Sequence, residues 1–281
     1  MLIDNLEIAL LSDGFFKLDG GAMFGIVPKT IWNKYNLADE LNRISLALKP
    51  LLIKTESKTV IIDTGIGNKL SQRLSNVFSI DHSKTDLIND LIRFNLEPKD
   101  VDIVILTHLH LDHAGWNTVI ENGRFVPTFP NAEYIIQKGE WKSAVAANER
   151  NAGSYIQENF CPLEEHKQLL LVDGSIEFIE GINLTVTGGH TKYHQIVLIG
   201  KGKQKAIYWG DIMPTTTHLK PPYIMGYDLY PQDTLRIKKK FISEAIENKW
   251  LCLWCHDPEI SSGYLTRDRN DSKIRINNFN F

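Results

Sequence analysis

The chain is poor in cysteine: Cys161, Cys252 and Cys255 are the only three among 281 residues, too few for a disulfide framework at this size. It also lacks any block of five or more like charges, and its formal net charge is −3. A nucleic-acid partner, which needs a basic stripe, is therefore not supported. The nearest basic run, Lys238-Lys239-Lys240, falls in a helical pattern and reads as a solvated helix face. No apolar stretch approaches the ~18 residues of a membrane span, so no membrane partner is expected. The opening residues MLIDNLEIALLSDG contain no basic segment, and Asp4 and Glu7 interrupt the apolar ones. That pattern predicts no secretory signal and makes the cytoplasm the expected location. Internal repeats, low-complexity tracts and Pro/Gly/Ser linkers are missing too, so residues 1–281 are expected to form one domain.

What is present is an ordinary globular mixture, 43% hydrophobic and 23% charged, with ample apolar material for a core. Apolar, β-branched runs predict strands at 6–11, 44–55, 59–63, 101–107, 133–137, 182–187, 195–200, 206–209 and 251–255. The polar triplets Glu56-Ser57-Lys58 and Lys201-Gly202-Lys203 predict two hairpins. Helical spacing is clearest at 85–94, where Leu87, Leu91 and Phe94 share a face, and recurs at 140–148 and 231–249. Strands interspersed with helices imply a layered α/β protein with mixed sheets; periodicity alone leaves the number of sheets open.

The densest chemical signal is His108-Leu109-His110-Leu111-Asp112-His113, directly after the apolar run VDIVIL. In extended chain alternate residues share a side, so His108 and His110 converge on one ion. A bend after Leu111 turns Asp112 and His113 towards a second. Imidazole with carboxylate suits zinc, with iron or manganese as other occupants. More candidate ligands each follow an apolar run: Asp63 after TVII, His190 after INLTVTGG, Asp211 after AIYWG and His256 after WLCLWC. Layered α/β proteins gather their sites at the carboxyl ends of strands, and Gly188, Gly189 and Gly210 let backbone pass close to bound ions. Any one of these residues alone reads as a polar loop residue; their repetition favours a metal site.

HLHLDH with a downstream GGH, a GD and a late HDP resembles the metallo-β-lactamase superfamily, over about 70% of the chain. The resemblance implies a four-layer αββα sandwich with two metal ions, expected to be Zn2+, at the edge between two sheets. It implies His108, His110 and His190 on the first ion, Asp112, His113 and His256 on the second, Asp211 bridging both, and Asp63 ordering the ligand loop. His113 is similar to the histidine of dinuclear hydrolases rather than to the cysteine of β-lactamases.

DGGAMFGIVPK and GDIMPTTTH…GYDLYP resemble the branch of quorum-quenching lactonases and methyl parathion hydrolase-like enzymes. That branch implies a metal-bridging hydroxide attacking a lactone or ester of a small-molecule substrate, with Asp112 carrying the proton to the leaving group. Acyl-homoserine lactonases carry a tyrosine shortly after the bridging aspartate, where this chain reads Ile212-Met213-Pro214; Tyr223 and Tyr227 are the candidates to replace it. Met23 and Phe24, between glycines, are expected either as an apolar lip over the metals or simply as buried residues, and His218 either as a substrate contact or as a hydrogen-bonded structural histidine. Aromatics near the amino terminus belong either to that lip or to a homodimer surface. His194 reads as structural, facing away from the site, and His82 and His166 as surface residues.

Other readings rank lower. CLWCH at 252–256 matches the C-x-x-C-H of haem attachment, yet it lies in an apolar strand and His256 already has a role; the two cysteines read as core residues. Phosphotriester hydrolysis ranks after lactone or ester hydrolysis. A glyoxalase II-like thioesterase calls for a basic patch, for which Arg267, Arg269, Lys273 and Arg275, offset by Asp268 and Asp271, are mixed support. A reading of another class is a non-hydrolytic metal or redox protein of the diiron kind, whose sites are richer in carboxylate; no glutamate stands beside HLHLDH in the sequence.

Overall fold

The computed structural model describes residues 1–267 and 274–279. Two seven-stranded sheets form its centre. The first runs, in spatial order, through Leu2–Ile3, Leu6–Leu10, Leu51–Lys54, Thr59–Ile62, Ile103–Ile105, Glu133–Gln137 and Leu169–Val172. The second takes up the rest of the chain: Ile176–Ile179, Ile182–Val186, Gln195–Ile199, Ala206–Tyr208, Leu251–Leu253, Ser262–Arg267 and Ile274–Asn278. Both are mixed. In the first sheet Ile103–Ile105 runs parallel to both of its neighbours; in the second, Ala206–Tyr208 and Leu251–Leu253 are the parallel pair.

Side-chain alternation explains the layering. Ile53, Val60, Ile62, Ile103 and Ile105 of the first sheet meet Leu184, Val197, Ile199 and Leu253 of the second in one buried cluster. The alternate residues Leu52, Ile61, Val104 and Ile136 pack outward under Leu87, Leu91, Trp141 and Leu163. On the far side Ile196, Ile207 and Cys252 pack under Ile237, Phe241 and Ile242 of the helix Pro231–Glu247. Strands covered on both faces need unbroken apolar runs, which is why VDIVIL and QIVLI show no polar alternation. The result is the expected αββα sandwich. Both expected hairpins form, across Glu56–Lys58 and Lys201–Lys203.

The run 44–55 is not one strand. Arg43–Ala47 pairs with Phe15–Asp19 in a separate two-stranded sheet, and Leu51–Lys54 belongs to the first large sheet. Pro50 has no N–H to give a ladder, and its carbonyl accepts from Leu11 while the Lys49 N–H turns to Cys255. The helices are shorter than their patterns: Leu87–Ile92, Lys138–Val145 and Pro231–Glu247. Lys238 departs from its expected solvated face. It is fully buried, its Nζ donating to the carbonyls of Tyr223 (2.6 Å) and Lys220 (3.2 Å), while Lys239 and Lys240 are exposed. Among the described residues no helix is long and apolar enough to cross a membrane.

Candidate metal centre

The loop after Ile103–Ile105 bends where expected. The N–H groups of His113 and Ala114 both donate to the His110 carbonyl at 3.0 Å, a helical turn that brings Asp112 and His113 round to a second group while the His113 ring centroid stays 4.2 Å from that of His108. Two ligand groups result: His108, His110 and His190 in one, Asp112, His113, Asp211 and His256 in the other, the ligand atoms of each within 4.8 Å of one another. Asp211 spans them. Its Oδ1 lies 3.2 Å from Nε2 of both His113 and His256, and its Oδ2 lies 3.3 Å from His190 Nε2. Asp112, only partly buried, lies 3.5 Å from His256 Nε2 on the cavity side.

Four of the five ligand histidines, all but His110, are oriented from behind, and that fixes which nitrogen faces the site. His113 Nδ1 donates to Asp63 at 2.8 Å and His256 Nδ1 to the Ala47 carbonyl at 2.8 Å. His190 Nδ1 donates to Asp228 Oδ1 at 2.9 Å, and Asp228 Oδ2 accepts from Thr234. His108 Nδ1 meets the Thr107 hydroxyl at 3.0 Å. Asp63 also accepts from the Thr107 N–H at 2.7 Å and holds a left-handed φ of 57°, a strained backbone state that marks functional loops.

Two carboxylates in this array were not legible in the sequence. Asp228 is one. Glu140 is the other: it accepts from Leu109 N (3.2 Å), Tyr155 OH (2.9 Å) and Thr191 Oγ1 (2.7 Å), so it ties the two loops that carry the first histidine group. No glutamate stands beside HLHLDH in the sequence, yet the fold places one against it. Glu140 stands 31 residues from Leu109 and reaches it only through the fold. His194 is structural but does not face away: its Nε2 accepts from the Asp211 N–H at 3.1 Å, and its Nδ1 meets Thr187 at 2.8 Å. Gly210 is required there, since a Cβ would lie 2.6 Å from His194 Nε2 and φ is +50°.

The residues fit metal ions. Among the described residues His108 Nε2 is buried with no hydrogen-bond partner, and a buried orphan nitrogen of this kind is costly unless it binds something. Burial and the neighbouring imidazoles push His108 and His110 far below the usual histidine range, which keeps them neutral, as ligands must be. At His113 burial opposes the charge, but Asp211, Asp63 and Asp112 outweigh it and drive the group well upward. The second group is thus a field of carboxylates that a cation satisfies.

A cavity of about 250 Å³ opens over the ligands. Phe16, Leu18, Met23, Phe78, Met225 and Tyr227 line it, and among the described residues no lysine or arginine does. Met23 and Tyr227 line it; Phe24, Tyr223 and His218 do not, and Phe24 and His218 follow the other reading open to them, a buried side chain and a hydrogen-bonded structural histidine. Phe24 is fully buried, stacked between Trp32 (ring centroids 5.2 Å) and His218 (4.9 Å). Tyr223 packs edge-on to Phe24, with its hydroxyl 3.5 Å from Lys220 Nζ. His218 bonds Thr215 and the Met23 carbonyl rather than the cavity. Of the early aromatics, Phe16, Phe24 and Trp32 are buried and Tyr35 is exposed. His82 is not a surface residue: it is half-buried against Asp13, 3.4 Å from Oδ1. His166 is exposed.

Cys252 packs in the outer core cluster and Cys255 in the inner one, so the two sulfurs do not share the face that one porphyrin would need. Arg267 and Arg275 do not line the cavity; Arg269, Lys273, Asp268 and Asp271 lie outside the described residues.

The sequence pattern of the metallo-β-lactamase superfamily matches residues 50–256, and the chain belongs to that superfamily. It is similar to a probable metal-dependent hydrolase from Staphylococcus aureus, 36% identical over all of this chain and 99% of the other, with a TM-score of 0.90. An N-acyl homoserine lactonase from a Bacillus species is 30% identical over 157 residues, 53% of this chain and 56% of the relative; the matched segment thus spans little more than half of that protein. The fold is shared with AiiA of B. thuringiensis, solved as a point mutant with N-decanoyl-L-homoserine bound at its active site, at a TM-score of 0.70 and 23% identity over 92% of this chain and 95% of the other.

Proposed function

We propose that the protein is a dinuclear metal hydrolase that opens a lactone, or cleaves a carboxylic ester, bearing an apolar substituent. The observation that carries this reading is the cavity: two ligand groups at its base, apolar walls, and among the described residues no lysine or arginine to hold an anionic substrate. His108, His110 and His190 would hold one ion and Asp112, His113 and His256 the other, with Asp211 shared; zinc suits the set, and iron and manganese are alternatives. Ions bound there would supply hydroxide at neutral pH and polarise a carbonyl.

The chain's own part is threefold. The apolar walls orient the substituent and exclude water. Asp112, at the cavity edge of the ligand set, takes the proton released by the attacking water and hands it to the departing alkoxide. Tyr227 keeps its proton at working pH, because burial, Asp19 and Asp112 push its phenol up to about 12. Its hydroxyl is therefore a donor for the substrate carbonyl, in the role that no side chain of Ile212-Met213-Pro214 can fill.

The test is pH-stat titration of N-acyl homoserine lactone opening by zinc-loaded protein against a chelator-stripped control. Metal-dependent acid release supports the reading. Two bound ions with no lactone opening, but with turnover of a neutral phosphotriester, would replace it by the phosphotriesterase alternative.

A further inference from the structure

The short helix Gly20–Phe24 forms one wall of the cavity through Met23. A helix of one turn leaves its terminal carbonyls without intrahelical partners, and here each finds one. Gly21 O accepts from Gly25 N (2.9 Å), Ala22 O from Gly226 N (2.7 Å) and Phe24 O from Val27 N (3.0 Å). The Met23 carbonyl alone is served by a side chain, His218 Nε2, at 2.8 Å across 195 residues of sequence. His218 Nδ1 meets Thr215 Oγ1 at 2.7 Å, and burial holds its pKa down at about 4. The ring is thus neutral, with Nε2 donating to Met23 and Nδ1 accepting from Thr215. Stacking adds a second constraint, since His218 lies nearly parallel to Phe24, 10° between planes, and Phe24 lies on Trp32.

The anchor at the other end is the metal centre itself. The segment from Asp211 to His218 is tied down by the His256 N–H, which donates to Pro214 O at 3.0 Å, and by Asp257, which accepts from Thr216 N and Oγ1. His218 therefore connects the frame of the ligand set to the cavity wall without touching the cavity.

We propose that His218 is a specificity-determining positioning residue: it fixes the depth of Met23 in the wall and so sets the length of apolar substituent the site accepts. The proposal rests on the lactone or ester reading for its substrates but not for its structural test. The variants are His218→Ala, His218→Gln and Met23→Ala, with metal content measured for each.

With N-acyl homoserine lactones of increasing chain length, His218→Ala should flatten the KM profile, the spread between best and worst chain falling about tenfold, the scale on which a hydrophobic pocket separates substrates. Met23→Ala should flatten it similarly. His218→Gln, which can donate to Met23 and accept from Thr215, should restore it. Hydrogen exchange should rise at residues 20–27 in His218→Ala and not in His218→Gln. An unchanged profile and unchanged exchange in metal-replete His218→Ala would overturn the proposal. So would loss of metal with an equal loss at every chain length, which would assign His218 to the ligand frame alone. If wild type opens no lactone, the substrate reading fails by itself. The same variants are then compared by calorimetric titration of the zinc-loaded protein with n-alkanols from butanol to decanol. A length preference in wild type that His218→Ala loses sustains the proposal; identical isotherms overturn it.

Discussion

The two ligand groups are alike in chemistry but braced by different parts of the molecule. The first, His108–His110–His190, leans on side chains far away in the sequence: Asp228 behind His190, and Glu140 between the Leu109 N–H and the Thr191 hydroxyl. The second leans on the strand ends themselves. Asp63, closing Thr59–Ile62, holds His113 and, through the Thr107 hydroxyl, also backs His108, and the carbonyl of Ala47, closing Arg43–Ala47, holds His256. The second group also carries the carboxylates Asp112 and Asp211, while the first is all imidazole. An all-imidazole set braced mainly by buried carboxylates and a set with two carboxylates braced by the sheet edge should lose their ions to different mutations.

The largest effect is expected where the two groups join. Asp211→Ala removes the carboxylate that reaches both, and the prediction is loss of both ions and of all turnover, read by atomic emission and pH-stat. Next comes Asp112→Asn, which should cost about 10²–10⁴-fold in turnover, the usual yield of a positioned acid, with metal content retained; a fully active, metal-replete variant would remove Asp112 from the proton step. The comparison itself is sharpened by Asp63→Asn and Asp228→Asn. Each should weaken metal binding about 10–100-fold, as outer partners of metal ligands do, the first at the His113 group and the second at the His190 group. Chelator competition on cobalt-substituted protein distinguishes them, and identical spectra for the two half-loaded variants would break the asymmetry. The smallest effect is expected from Tyr227→Phe, a several-fold loss in kcat/KM corresponding to one hydrogen bond, with both ions in place.

The ligand set was readable in the sequence because it is local where it matters. Four ligating groups occupy 108–113, and Asp63, His190, Asp211 and His256 each end an apolar run. Burial on both faces makes those runs continuous and their ends obvious. Glu140 and Asp228 were not readable, because nothing in QKGEWKS or GYDLYP marks a carboxylate whose partner is 31 or 38 residues away. The strand Phe15–Asp19 was missed for a related reason. Its partner is Arg43–Ala47, and the apolar run 44–55 hid the break at Pro50 that frees it. Phe24 and His218 show the limit for single side chains. Aromatic character placed them near the site, but whether a ring faces the cavity or the stack beneath it is decided by tertiary packing.

The split of the sheets along the chain has a consequence for biosynthesis. All four groups of 108–113 leave the ribosome with the first sheet, while His190, Asp211 and His256 arrive with the second. His113 and His256 are 143 residues apart, so at ~5–20 residues per second the nascent chain offers half of its metal site for roughly 7–30 s before the other half is made. An ion captured in that interval is held by an incomplete set and stays exchangeable. A full set of ligands for the two proposed ions exists only once the sandwich closes.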